Sequence, residues 1–218
     1  MPDNQHVDTP EAATTVAEQY LRRERPASAL VSVVVVAVFL GTFHATSLLP
    51  AIAVGVGLLA LVRAPIIRLE GTVQLRTEET VGAVAAAFSG PTPPVLPFQW
   101  GIADEVTTDG STATYQISYL FGMRTVEMTV RTDTTTRDDG VHEVRVAVAA
   151  NGAPWSTYTV TIDRHDDRTM VEYTYESDRR IGLRRLPQRR IAKRYRDSAL
   201  RAQGYTVLDR TEEHGIRS

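Results

Sequence analysis

The chain has 218 residues, 24 basic against 26 acidic and no Cys. That length leaves room for one membrane module and one soluble domain of about 150 residues with a substantial core, and not for two full soluble domains. The missing cysteines exclude disulfides, thiolate metal sites and thiol nucleophiles together. Charge is unevenly spread: residues 69–177 carry 7 Arg against 16 Asp and Glu, whereas residues 178–218 carry 12 basic against 5 acidic. Only Lys193 among the basic residues is a lysine, a usage that reflects genome composition and not a function.

Residues 1–26 read as a polar cytoplasmic tail, with a short apolar face only from Val16 to Leu21. Pro26 to Val62 then runs 37 residues without Asp, Glu, Lys or Arg. One helix of that length would measure about 55 Å, well beyond a hydrocarbon core of about 30 Å. A break at Gly41–Ser47 divides it into Ala27–Phe43 and Ser47–Val62, with Pro50 in the first turn of the second helix, where proline is tolerated. Residues 27–63 are therefore expected to form a transmembrane hairpin of two short helices whose turn reaches the interface. Arg22, Arg23 and Arg25 precede it and Arg63 and Arg68 follow, so the positive-inside rule puts both termini in the cytoplasm. A cleaved signal peptide fits less well, because the first 20 residues are polar and acidic. A hairpin buried in a soluble core is the other alternative. Gly55 and Gly57 do not make a Gly-x-x-x-Gly face for oligomerisation.

From Leu69, Val73 and Leu75 alternate with Thr72, Gln74 and Arg76, which predicts a strand. Thr77 is placed to cap a helix carrying Val81, Val84, Ala85 and Phe88, with Glu78 and Glu79 in its first turn. Four prolines between Pro91 and Pro97 demand an extended loop. Six strands are then expected, at about 100–107, 112–120, 124–134, 141–150, 155–163 and 169–177, joined at Asp109-Gly110, Phe121-Gly122, Asp138-Asp139-Gly140, Asn151-Gly152 and His165-Asp166-Asp167. Their apolar faces include Tyr115, Ile117 and Tyr119; Val126, Met128 and Val130; Val144, Val146 and Val148; and Tyr158, Val160 and Ile162. The opposite faces are polar, so the sheet is covered on one side. An amphipathic helix is expected from Ile181 to Gln203, broken or restarted at Pro187, capped by Gly204, with Tyr205 packing back.

The order of strand, helix, six-strand meander and C-terminal helix over residues 69–205 resembles the START-like helix-grip superfamily, also called SRPBCC or polyketide-cyclase-like. The opening from Thr72 to Phe88 and the closing helix after Tyr175 carry the resemblance, and no residue signature does. It implies an α+β fold, a seven-stranded curved antiparallel sheet around a long C-terminal helix, with residues 206–218 as a tail. It further implies an apolar cavity between sheet and helix for a lipid or other hydrophobic molecule. Trp100, Tyr115, Tyr119, Met128, Tyr158, Tyr173 and Tyr195 are the expected lining, being large and on the inner face or helix stripe; plain core packing is the alternative for each.

Catalytic chemistry finds little support. The five histidines, His6, His44, His142, His165 and His214, show no ligand spacing, so no metal or cofactor is expected, His165 with its neighbouring acids being the nearest approach to a site. Asp104 and Glu105 point to opposite faces, and Glu172 and Glu176 lie on the solvent side. The basic run that includes Arg184, Arg185, Arg189, Arg190, Lys193 and Arg194 fits a solvated face, contact with anionic headgroups at the bilayer, or nucleic-acid binding; the last lacks interleaved aromatics, so no nucleic acid is expected. The resulting expectation is a membrane-anchored protein holding a hydrophobic ligand or lipid. A cyclase- or hydrolase-like enzyme and a structural membrane protein with a filled core are the alternatives.

Overall fold

The computed structural model describes residues 5–6, 33–63, 65–67, 69–119, 123–137, 140–179, 181–182 and 195–213. Helix α1 covers 33–45 and α2 covers Leu48–Arg63, separated at Thr46–Ser47, inside the expected break. The helices meet along one seam. Val35, Phe39 and Thr42 are the half-buried positions of α1 between 33 and 43, at helical spacing, and Ala51 and Gly55 are buried on α2. Ala51 and Gly55 form a small-x-x-x-small pair, which lets the backbones approach. Thr42 donates to Val38 O (2.8 Å) and Thr46 to Thr42 O (2.7 Å), satisfying carbonyls at the end of α1 within the hairpin itself. The outward positions are apolar: Val33, Val34, Val36, Val38, Leu40, Phe43, Leu48, Leu49, Ile52, Val54, Val56 and Leu59 are all exposed. Among the described residues no helix is long and apolar enough to cross a membrane; residues 27–32 of the first expected span lie outside the described residues.

A large open antiparallel sheet forms the rest. Its strands are β1 (Gln5–His6), β3 (Glu70–Thr77), β4 (Glu105–Asp109), β5 (Thr112–Tyr119), β6 (Arg124–Thr136), β7 (His142–Ala150), β8 (Ala153–His165), β9 (Arg168–Ser177) and β11 (Thr206–Glu213), in the order β1-β4-β5-β6-β7-β8-β9-β3-β11. The meander β4 to β9 follows from period-two alternation, and its inner face carries Val106, Ala113, Tyr115, Ile117, Met128, Val130, Val144, Val146, Val148, Val160, Ile162, Val171 and Tyr173, all buried. At the β7–β8 turn Asn151 and Gly152 both have positive φ (49° and 74°), the type I′ geometry that an Asn-Gly pair favours.

Helix α3 (Val81–Ser89) lies over this face against β6, β7 and β8. Its cap is Thr80, whose Oγ1 accepts from Ala83 N, and not Thr77 as the sequence suggested. Thr77 ends β3, is buried, and accepts from Glu79 N (3.3 Å) instead. The proline segment expected as a plain loop contains a short helix, α4 (Pro97–Trp100), and residues 93–97 are buried. Three side chains of the segment and the sheet hold it: Trp100 Nε1 donates to Pro93 O (2.9 Å), Tyr115 Oη to Pro91 O (2.7 Å) and Thr132 Oγ1 to Ser89 O (2.9 Å).

The C-terminal part departs most from expectation. Ile181–Gly182 is not the start of a helix but strand β10, paired with β2 (Pro65–Ile67) in a separate two-stranded sheet. A β-branched residue followed by Gly is a weak helix start and is at home in an extended pair. Within the expected helix 181–203, the described helical residues are α5, 195–202, which buries Ala199 and Leu200; residues 183–194 lie outside the described residues. A long C-terminal helix is therefore not shown. Gly204 (φ 86°) ends α5, with Tyr205 N donating to Leu200 O (3.0 Å), and the Tyr205 ring packs edge-on against Phe88 of α3 at 5.8 Å. Residues 206–213, read from sequence as tail, form β11 on the edge of β3, so the sheet exceeds seven strands.

Candidate functional site

The residues expected to line a cavity separate into groups. Trp100, Tyr115 and Met128 are buried in the main core, and the first two have their polar tips committed to the proline segment. Burial pushes the Tyr115 phenol far up. Tyr119 lies at the end of β5 and is 44% exposed. Tyr195 is half-buried at the start of α5. Tyr158 and Tyr173 come together on the inner face, joined by Tyr175, which the sequence reading did not select. The three ring centroids lie 6.3–6.5 Å apart.

Register explains this cluster. Tyr158 pairs with Tyr175 and Tyr175 with Gly71, while the next row runs from Val160 through Tyr173 and Val73 to Arg210. Gly71 supplies no side chain to its row, and the Tyr175 ring occupies the space, with Oη 2.8 Å and Cε1 3.0 Å from where a Cβ would be. Arg210 takes an apolar position. Its side chain is only 4% exposed, and Nη2 donates to Asp197 Oδ1 of α5 at 2.6 Å. Among the described residues, Nε and Nη1 of the same guanidinium are buried without a hydrogen-bond partner, as is Ser156 Oγ two residues before Tyr158 on β8. Tyr173 is pushed up to about 12 by burial, a shift opposed by the positive charges of Arg210 and Arg196.

Arg210 and its pairing with Asp197 were missed because β11 itself was missed. A register shift between Val207 and Asp209 breaks the alternation, so that the half-buried positions are Val207 and Arg210, three apart.

On the opposite, polar face a cleft of about 530 Å³ opens over β11, β3, β9, β8 and β7. One cross-strand row supplies much of its floor: Thr211, Thr72, Thr174, Thr159 and Arg145. Glu70 and Glu176 are cross-strand partners at its rim. Hydroxyls and charges dominate it, so it offers hydrogen bonds and no apolar wall. Among the described residues no group of three or more His, Asp or Glu could hold a metal ion.

Arg184, Arg185, Arg189, Arg190, Lys193 and Arg194 lie outside the described residues. Arg179, just before them, places its guanidinium over the Trp155 ring, 4.8 Å from the centroid.

These features define an α+β protein with an open antiparallel sheet and few helices. No family model matches the chain, and no curated protein does. Among solved structures, the Mll3558 protein from Rhizobium loti is similar at 19% identity, covering 63% of this chain and 97% of its own with a TM-score of 0.42. A conserved protein from Geobacillus kaustophilus is similar at 14% identity, covering 65% of this chain and 100% of its own with a TM-score of 0.39. Likenesses of this order carry nothing about function.

Proposed function

We propose that the chain is a membrane-tethered binding protein: the hairpin sits in a bilayer with both termini on the cytoplasmic side and holds the sheet domain at the surface, where it takes a hydrophobic or amphiphilic small molecule. The observation that carries the tether is the hairpin's outer surface. Two helices packed on each other through Phe39 and Gly55 still present twelve large apolar side chains outward, Leu49 being 80% exposed. A continuous apolar surface of that kind is buried by lipid or by another protein in a stable molecule. Lipid is favoured by the absence of charged residues from 26 to 62 and by the arginines on both flanks. The binding role draws on the aromatic inner face at Tyr158, Tyr173 and Tyr175. Single-cysteine labelling tests the tether directly, because the native chain has no Cys. Ser47→Cys in the turn and Asp209→Cys in the domain are expected to react with a membrane-impermeant maleimide from opposite sides of sealed vesicles. Reaction of both from one side, or release of the chain by alkaline carbonate, would overturn the reading.

A further inference from the structure

The inner-face cluster around Arg210 suggests what kind of ligand the domain takes, an inference that rests on the binding role just proposed. A guanidinium has five N–H donors, and burying it leaves each one in need of an acceptor. Asp197 occupies Nη2, while Nε and Nη1 have no acceptor among the described residues although the side chain is 96% buried. A second positive charge is near: Arg196, next to Asp197 on α5, acts on Tyr173 together with Arg210. Beside it stand the three tyrosine rings, whose faces suit an aliphatic or aromatic body, with Tyr158 and Tyr175 only half-buried and so open towards an approaching ligand.

We propose that this cluster binds a ligand bearing a single carboxylate, the carboxylate hydrogen-bonded to the unpaired donors of Arg210 and the apolar body laid against Tyr158, Tyr173 and Tyr175. The two unpaired donors, Nε and Nη1, can be met by the two oxygens of one carboxylate, and the adjoining rings suit a body that is apolar up to that group. Guanidinium geometry also suits carboxylate oxygens better than a neutral acceptor.

The probes are octanoate, benzoate and, as the uncharged comparison, octanol, each carrying ¹³C at C1 or the carboxyl carbon. They are titrated into the full chain in lipid nanodiscs, with empty nanodiscs as baseline. A saturable shift of the labelled C1 is expected with octanoate and no saturable shift of C1 with octanol at equal concentration, and comparison with benzoate separates a fatty-acid source from a soluble aromatic acid. Arg210→Met is expected to weaken carboxylate binding about tenfold or more. Since that substitution strands Asp197 at a cost in folding stability, Arg196→Gln at a half-buried helix position serves as the second variant, with a severalfold weakening expected. Equal binding of octanol and octanoate would overturn the carboxylate assignment and leave the hydrophobic-ligand reading intact. Binding of neither carboxylate nor octanol would remove both, and unchanged affinity in Arg196→Gln would remove the charge argument.

Discussion

The ring of Phe39 lies directly over Gly55, so that a Cβ built on the glycine would sit 3.1 Å from Phe39 Cδ2. The near atom belongs to a side-chain ring and not to backbone, so a single methyl can be met by a small ring movement. Gly55→Ala is therefore expected to be nearly neutral. Gly55→Leu has no such room and should separate the helices at a cost of about 1–3 kcal/mol. Protease resistance of the hairpin in reconstituted vesicles distinguishes the two, with only the leucine variant losing protection.

Gly71 is a harder case, because its nearest neighbour is backbone. A Cβ there would lie 2.6 Å from Thr211 O of β11 and 2.8 Å from Tyr175 Oη. Gly71→Ala must push the edge strand away and displace Tyr175 together, an overpacking cost of about 1–3 kcal/mol. Shortening the ring's reach with Tyr175→Phe is not expected to rescue it, since Thr211 O remains. Denaturant midpoints of the single and double variants check this: recovery in the double variant would show that Tyr175 alone sets the constraint.

Two threonines near the start of α3 offer a direct comparison. Thr80 Oγ1 accepts from Ala83 N and caps the helix, so Thr80→Ala should cost about 1 kcal/mol. Thr80→Ser should recover most of it. Urea unfolding of the full chain measures both.

That comparison also shows where sequence reading succeeds and where it stops. The strand β3, the helix α3 and the meander from β5 to β9 were legible because their apolar periodicity is regular, as in Val144, Val146 and Val148, whereas the strand expected at 100–107 is β4 at Glu105–Asp109, with Trp100 in α4. Thr77 and Thr80 both precede apolar helical spacing, and local pattern cannot separate them; burial of Thr77 against the sheet decides it. Gly204 and Tyr205 were readable as a helix end because a Schellman-type cap is local. The candidate site was only half legible. Tyr158 and Tyr173 stood out as inward aromatics, but pairing Arg210 with Asp197 depends on β11, whose alternation is broken by a bulge and whose inner position holds a charge. Gly71 carried no signal at all, since its role is to leave space for the ring of its cross-strand partner Tyr175, which is far away in sequence.

The proline segment is held by buried hydrogen bonds more than by its own conformation. Tyr115→Phe removes the donor to Pro91 O and leaves that carbonyl without its 2.7 Å partner, with the ring's packing unchanged. A loss of about 1–3 kcal/mol is expected. Trp100→Phe removes the bond to Pro93 O and leaves a void besides, so it should cost more. Thermal unfolding followed by near-ultraviolet circular dichroism, which reports these aromatic environments, orders the two variants.

Alkaline pH tests the burial of the tyrosines as a group. Tyr173 and Tyr205 are each pushed up to about 12, Tyr173 mainly by burial and Tyr205 by burial and then by the negative charge of Glu79. An unfolded tyrosine ionises near 10, so above that pH the unfolded chain releases protons that the folded chain keeps. The stabilisation is complete below pH 10 and is lost as pH rises from 10 through about 12. Each phenol should account for on the order of 2 kcal/mol of that loss, Tyr115 adding a further share in the same direction. Tyr173→Phe and Tyr205→Phe are expected to flatten the decline, each by its own share, while leaving stability near neutrality to packing and any hydroxyl contacts. Urea midpoints across this range, read alongside tyrosinate absorbance at each pH, supply the check: tyrosinate below pH 10 that disappears in the folded Tyr173→Phe or Tyr205→Phe chain would show that the lost ring is open to water.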